Sequence, residues 1–165
     1  MQPPRYALVA YVRYAVGEFV ESLRRELHPD LPHLPAHLTI LPPRHLRGSE
    51  LAALETLEEV CSHVEPFEVA LADVESFVPV TPTVFIRVDR GAYRMCELHD
   101  RLSAGALAAQ DEWPYMPHLT IVKISSQELA QEAEIIARDR WAQFTGSRLI
   151  LVRELTFVRE REDEP

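Results

Sequence analysis

The tetrapeptide His-Leu-Thr-Ile occurs twice, at residues 37–40 and again at residues 118–121, the second copy beginning 81 residues after the first in a chain of 165. In an extended strand, side chains alternate between faces, so His and Thr point one way while Leu and Ile point the other. Each copy predicts a strand with its apolar face in a core and an imidazole and a hydroxyl side by side on the opposite face. Packing alone would constrain Leu38, Ile40, Leu119 and Ile121, and gives no reason to repeat His and Thr. Two such strands brought together would set two imidazoles and two hydroxyls around one cleft, a set suited to acid–base chemistry on a phosphate.

The segments around the two copies repeat as well. In the first half, Arg5–Arg13 reads as a strand and Val16–Leu27 as an amphipathic helix. A loop with Pro29, Pro32 and Pro35 leads into the first motif strand, which Pro42-Pro43 is expected to end because proline cannot donate to a ladder. Ser49–Val64 carries Leu51, Leu54, Leu57, Val60 and Cys61 at helical spacing, with Ser49 as N-cap, and Phe67–Val78 is strand-like before Pro79 and Pro82 mark the midpoint. In the second half, Thr83–Asp89 is a strand, Tyr93–Leu107 a helix, and a loop with Trp113, Pro114 and Pro117 leads into the second motif. Gln127–Ala142 is a helix, and Ser147–Val158 supplies one long or two short strands. Ser49-Glu50-Leu51-Ala52 after the first motif is echoed by Gln127-Glu128-Leu129-Ala130 after the second. These echoes predict an internally duplicated α+β fold, one domain over 1–165 with repeats of about 1–80 and 83–165. Its two lobes are expected to be related by a pseudo-twofold axis, with the two His-x-Thr motifs in a central cleft.

A net charge of −9, with an acidic run over Glu160–Pro165, works against long polyanions, whose affinity comes from Lys and Arg neutralising phosphates. Small nucleotides or RNA ends are therefore better partners than duplexes. No stretch approaches the 18–20 or so apolar residues of a membrane span, and the apolar start, Tyr6–Val16, is broken by Arg13 and lacks a small-residue cleavage site. Cys61 and Cys96 fall in helix-like segments without metal spacing, as expected of reduced thiols in a cytoplasmic protein.

Histidine gives and takes protons near neutral pH, so one imidazole can deprotonate a nucleophile while the other protonates the leaving oxygen. The threonine hydroxyls can donate to the non-bridging oxygens. Neither motif supplies carboxylates for a divalent metal, so the expected chemistry needs no metal and no cofactor. Here the chain resembles the two-histidine phosphoesterase superfamily, and within it the 2′-5′ RNA ligase-like and cyclic phosphodiesterase branch. The resemblance rests on the two motifs in the two halves, with Pro117 directly before the second, Tyr115 just upstream and Leu41-Pro42-Pro43-Arg44 after the first. It implies a bilobal fold whose lobes each hold a mainly antiparallel sheet, and cleavage or formation of 2′-linked phosphodiesters or opening of 2′,3′-cyclic and ADP-ribose cyclic phosphates without metal. It implies that His37 and His118 are the acid/base pair and that Thr39 and Thr120 are the phosphate donors. One departure is Lys123, five positions after the second motif histidine, where relatives often carry Arg; lysine keeps the charge but loses the bidentate fork.

Further substrate-binding candidates follow from position. Arg44 lies beyond the Pro-Pro turn and reads equally as a phosphate contact or as an exposed loop residue; Trp113 and Tyr115 read as base-stacking or as lobe-packing residues. Tyr11 and Phe85 lie on the first strands of the two halves. His28, His33, His37 and His45 crowd one region but follow no zinc spacing, and His63 and His99 read as surface or helix-end residues. A pseudo-twofold within one chain completes the site, so a monomer suffices. The rival readings are a module that binds nucleotides or RNA ends with little turnover, and a metal-binding protein that a chelator would disable.

Overall fold

The protein is described by a computed structural model covering residues 3–30 and 34–160; His33 and the acidic residues after Glu160 lie outside the described residues. In chain order the elements are β1 (Tyr6–Tyr11), α1 (Tyr14–Leu27), β2 (His37–Arg44), α2 (Glu50–Cys61) and β3 (Phe67–Ser76). They continue as β4 (Thr83–Val88), α3 (Ala92–Leu102), a 3₁₀ turn (Gly105–Leu107), β5 (His118–Lys123), α4 (Gln127–Gln143), β6 (Leu149–Val152) and β7 (Thr156–Arg159). The α+β class expected from the sequence is thus the observed one. No helix among the described residues is long and apolar enough to cross a membrane, and both cysteines are free thiols.

Seven strands form one antiparallel sheet in the order β6-β3-β4-β5-β2-β1-β7. Where one sheet per lobe was expected, two groups of strands meet at a narrow join: β2 and β5 pair only through Leu38 opposite Leu119. The outermost strands, β6 and β7, are linked by just Arg153, Glu154 and Leu155. In a flat sheet those two edges would stand about 29 Å apart, yet so short a link spans at most roughly 14 Å. The sheet must curl until its edges approach each other, leaving the residues of one face inside a trough.

Packing crosses the middle of the chain. Helix α1 lies against β5, α3 against β2, and α4 against β3 and β4. Leu38, Ile40, Leu119 and Ile121 are completely buried, as alternation in the motif strands requires, and join Val20 of α1 and Leu102 of α3 in the core. Ser49 and Ser126 cap α2 and α4, their hydroxyls accepting from the amides of Ala52 and Leu129.

Three expectations need correction. Pro42 and Pro43 do not end the first motif strand, which runs on to Arg44. Beyond Ile40 the neighbouring β5 has not yet begun, and the register with β1 shifts between Leu8 and Tyr6, so the missing proline donors fall at an unpaired edge and a bulge. The helix predicted to reach Leu107 stops at Leu102, because Gly105 takes a left-handed φ of 55° and turns the chain into the 3₁₀ segment. His99 stands in the last turn of α3, as the helix-end alternative had it, but not at the surface: it is 7% exposed, and its ring serves a network described below.

Candidate active site

The short β2–β5 join defines the geometry. With Leu38 opposite Leu119 in an antiparallel pair, His37 comes opposite Thr120 and Thr39 opposite His118, all four on the face away from the core. All four side chains are only partly buried. The repeated tetrapeptides therefore meet as one quartet, each imidazole across from the other strand's hydroxyl.

Both imidazoles are held the same way. His37 Nδ1 donates to the Pro35 carbonyl at 2.9 Å, and His118 Nδ1 donates to the Met116 carbonyl at 2.7 Å, each two residues upstream. A carbonyl only accepts, so the proton is on Nδ1 and the Nε2 of each ring is left available. Around His118, Phe77 and Phe85 stack on one another at 4.1 Å, and each presents its ring edge-on to the imidazole at 5.2 Å. Burial in this apolar setting pushes the His118 pKa down; the Met116 hydrogen bond opposes that, and repulsion from the like charge of nearby His37 pushes it down further. His37 has a more open neighbour in Tyr11, its register partner on β1, with ring centroids 6.4 Å apart.

The strands splay on both sides of the join, and a side chain satisfies the freed backbone on each side. Tyr115 Oη donates to the Thr39 carbonyl at 2.7 Å. Arg24 of α1 donates through Nε to the Ile121 carbonyl at 2.8 Å and through Nη2 to the Thr120 carbonyl at 3.3 Å. Each threonine is thus fastened by a group from the other half of the chain. Tyr115 in turn stacks on His99 at 4.2 Å, His99 Nε2 lies 2.8 Å from Asp111, and Asp111 accepts from Arg44 Nη2 at 2.8 Å.

The structure therefore brings together His37, Thr39, His118, Thr120, Tyr11 and Phe85. It sends Arg44 elsewhere: 5% exposed, its guanidinium donates to Pro42, Ser103, Leu107 and Asp111 and is fully engaged in the interior. The bulge after Leu41 turns it toward the 3₁₀ segment. Tyr115 is held in the lobe by its phenol, whose pKa burial raises well above the ordinary value. Trp113 is 54% exposed on the loop, and Lys123 is exposed at the end of β5.

Sequence reasoning passed over Phe77, Arg24 and Arg87. Arg24 carries a readable signal, since it falls on the stripe of α1 that includes Val20, Leu23 and Leu27. Arg87 stands opposite His118 in the β4–β5 register and binds Glu75 at 2.8 Å. Phe77 has no such signal, because only the pairing of β3 with β4 carries it to Phe85. No group of three His, Cys, Asp or Glu side chains among the described residues could hold a metal ion.

Comparison with known proteins points the same way. The profile of the 2′-5′ RNA ligase superfamily matches residues 12–164. A protein of Bacillus pumilus, provisionally named a phosphoesterase, is 28% identical over 126 residues, covering 75% of this chain and 73% of that one. A provisionally named phosphoesterase of Bacillus cytotoxicus is 24% identical over 159 residues, covering 96% and 91%. Another from Oceanobacillus iheyensis is 26% identical over 122 residues, covering 72% and 70%.

Proposed function

This chain belongs to the 2′-5′ RNA ligase superfamily, and on that premise we propose that it is a metal-independent phosphodiesterase acting on a 2′-5′ linkage or a cyclic phosphate at a nucleotide or RNA end. The observation that carries the reading is the matched pair of imidazoles, each with Nδ1 tied to a carbonyl two residues back and Nε2 free. Water or a ribose hydroxyl adds to phosphorus while one Nε2 takes its proton. The P–O bond to the leaving oxygen breaks and the electron pair stays on that oxygen. The other ring enters the step as an imidazolium, with a second proton on Nε2, and delivers that proton to the oxygen. Thr39 and Thr120 donate to the non-bridging oxygens as charge builds on them. Ligation is the same sequence reversed.

Burial disfavours the cationic form of His118, which fits it to start as the base, leaving His37 as the acid in the hydrolytic direction. The exchange of helices and clamps between halves, with α1 on β5 and α3 on β2, supports descent from a duplicated half. One chain supplies the whole quartet, so we take the working unit to be a monomer acting on a small nucleotide or an RNA end in the cytoplasm.

The test is hydrolysis of 2′,3′-cyclic nucleotides in EDTA, with His37→Ala and His118→Ala alongside and the product phosphate located by phosphorus NMR. Turnover that survives chelation and falls roughly 10²–10⁴-fold in each variant is expected. Near-full activity in both variants would sink the mechanism.

A further inference from the structure

Resting on the nucleotide phosphoesterase reading, we propose that the groove beside Tyr11 is a second binding site that takes the nucleotide continuing from the reacting phosphate. The preferred substrate is then an oligonucleotide end, not a cyclic mononucleotide. The groove encloses about 550 Å³, within the range of sites that hold small organic ligands. Tyr11 is the wall it shares with the quartet, lining the groove while its ring stands edge-on to His37.

Charge identifies the ligand class. Arg13 and Arg153 both line the groove, and neither makes a hydrogen bond or ion pair among the described residues. Arg44, Arg87 and Arg140, by contrast, are each held by a carboxylate. Of the acids in the lining, Glu68 is 3.3 Å from Arg90, while Glu154 has no partner among the described residues. With Glu68 offset by Arg90 from outside the lining, two arginines face one glutamate, and the net single positive charge matches one phosphodiester.

Shape identifies the rest. Tyr14 lines the groove with its side chain 82% exposed and its backbone at φ 63°, a left-handed conformation that residues with a Cβ rarely adopt. The ring gains little from packing there, yet it is set as a platform for a planar base. Leu149 and Leu151 point outward from β6 into the same groove, 44% and 58% exposed. Stacking one base on such a ring strengthens binding by about tenfold.

The experiment compares kcat/KM for a 2′,3′-cyclic mononucleotide and for a trinucleotide ending in the same cyclic phosphate. A trinucleotide preference of about tenfold or more is expected, falling toward unity in Arg13→Ala/Arg153→Ala and in Tyr14→Gly, while the exposed control Arg47→Ala leaves the ratio unchanged. Tyr14→Gly accepts the left-handed φ without strain, so a lost preference in that variant is not a folding defect. Equal kcat/KM for the two substrates, or a ratio indifferent to these substitutions, would overturn the proposal. Titration with an uncleavable 5′-phosphorylated dinucleotide separates the two readings. If neither cyclic substrate nor a 2′-5′-linked dinucleotide turns over, the phosphoesterase reading fails, whereas the groove stands if the uncleavable dinucleotide binds and the arginine pair variant weakens it about tenfold, and falls if it does not.

Discussion

At the scale of single residues, the candidate site fixes the ring proton of each histidine. The carbonyls of Pro35 and Met116 lie so near in sequence to His37 and His118 that the tautomer is a local property of each motif. The difference between the two rings is not local, since it comes from Phe77 and Phe85 pressing on His118 alone. His118 should therefore titrate below 6.5 in a pH series of imidazole NMR shifts, and its pKa should rise in His37→Gln, where the like charge is gone. An unfolded His118 takes its proton near pH 6.5 and the folded one only at lower pH, so between them the unfolded chain holds more protons. This contribution to stability is complete above that window and is lost as pH falls through it. Tyr115→Phe removes the bond to the Thr39 carbonyl and should cost about 1 kcal/mol, seen as a Tm lower by about 3 °C. A positioning role for the phenol further predicts a fall in kcat with KM little changed; a purely structural role would leave both alone.

Secondary-structure elements were the most legible part of the fold, and the reasons lie in particular residues. Ser49 announced α2 by its hydroxyl, and the alternation in Val84, Ile86 and Val88 announced β4. Pro42-Pro43 misled because the rule that proline ends a strand holds only where a neighbour needs its donor, and β5 does not reach that far. The β1–α1 turn shows what sequence hides. Gly17 brings α1 so near the preceding strand that a Cβ there would lie 2.1 Å from the Val12 carbonyl oxygen. Gly17→Ala should therefore destabilise the protein by on the order of 2 kcal/mol, measured by denaturant unfolding. It should also displace Tyr14 and Tyr11, so any activity that remains should show a raised KM.

Across the whole molecule, the quartet depends on a curled sheet and on contacts exchanged between the halves. The loop before β5 is anchored by Arg44, Asp111, His99 and Tyr115, and that chain of contacts ends on Thr39 of the other motif. Asp111→Ala would leave the buried Arg44 guanidinium without its counter-charge and should cost about 3 kcal/mol. Thermal unfolding checks this, and an unchanged Tm would show that the ion pair does not hold the loop.

The sequence by itself determined the α+β class, the two motif strands with their inward and outward faces, and the four groups that would meet, because alternation and repetition are properties of neighbouring residues. Tertiary structure alone decided that Arg44 turns inward, that Phe77 and Phe85 flank one histidine and not the other, and that Arg13 and Arg153 share a groove with Tyr14. Those outcomes depend on a bulge, a strand pairing and the curl that brings β6 back toward β7. Each joins residues far apart in the chain, so no local pattern records it.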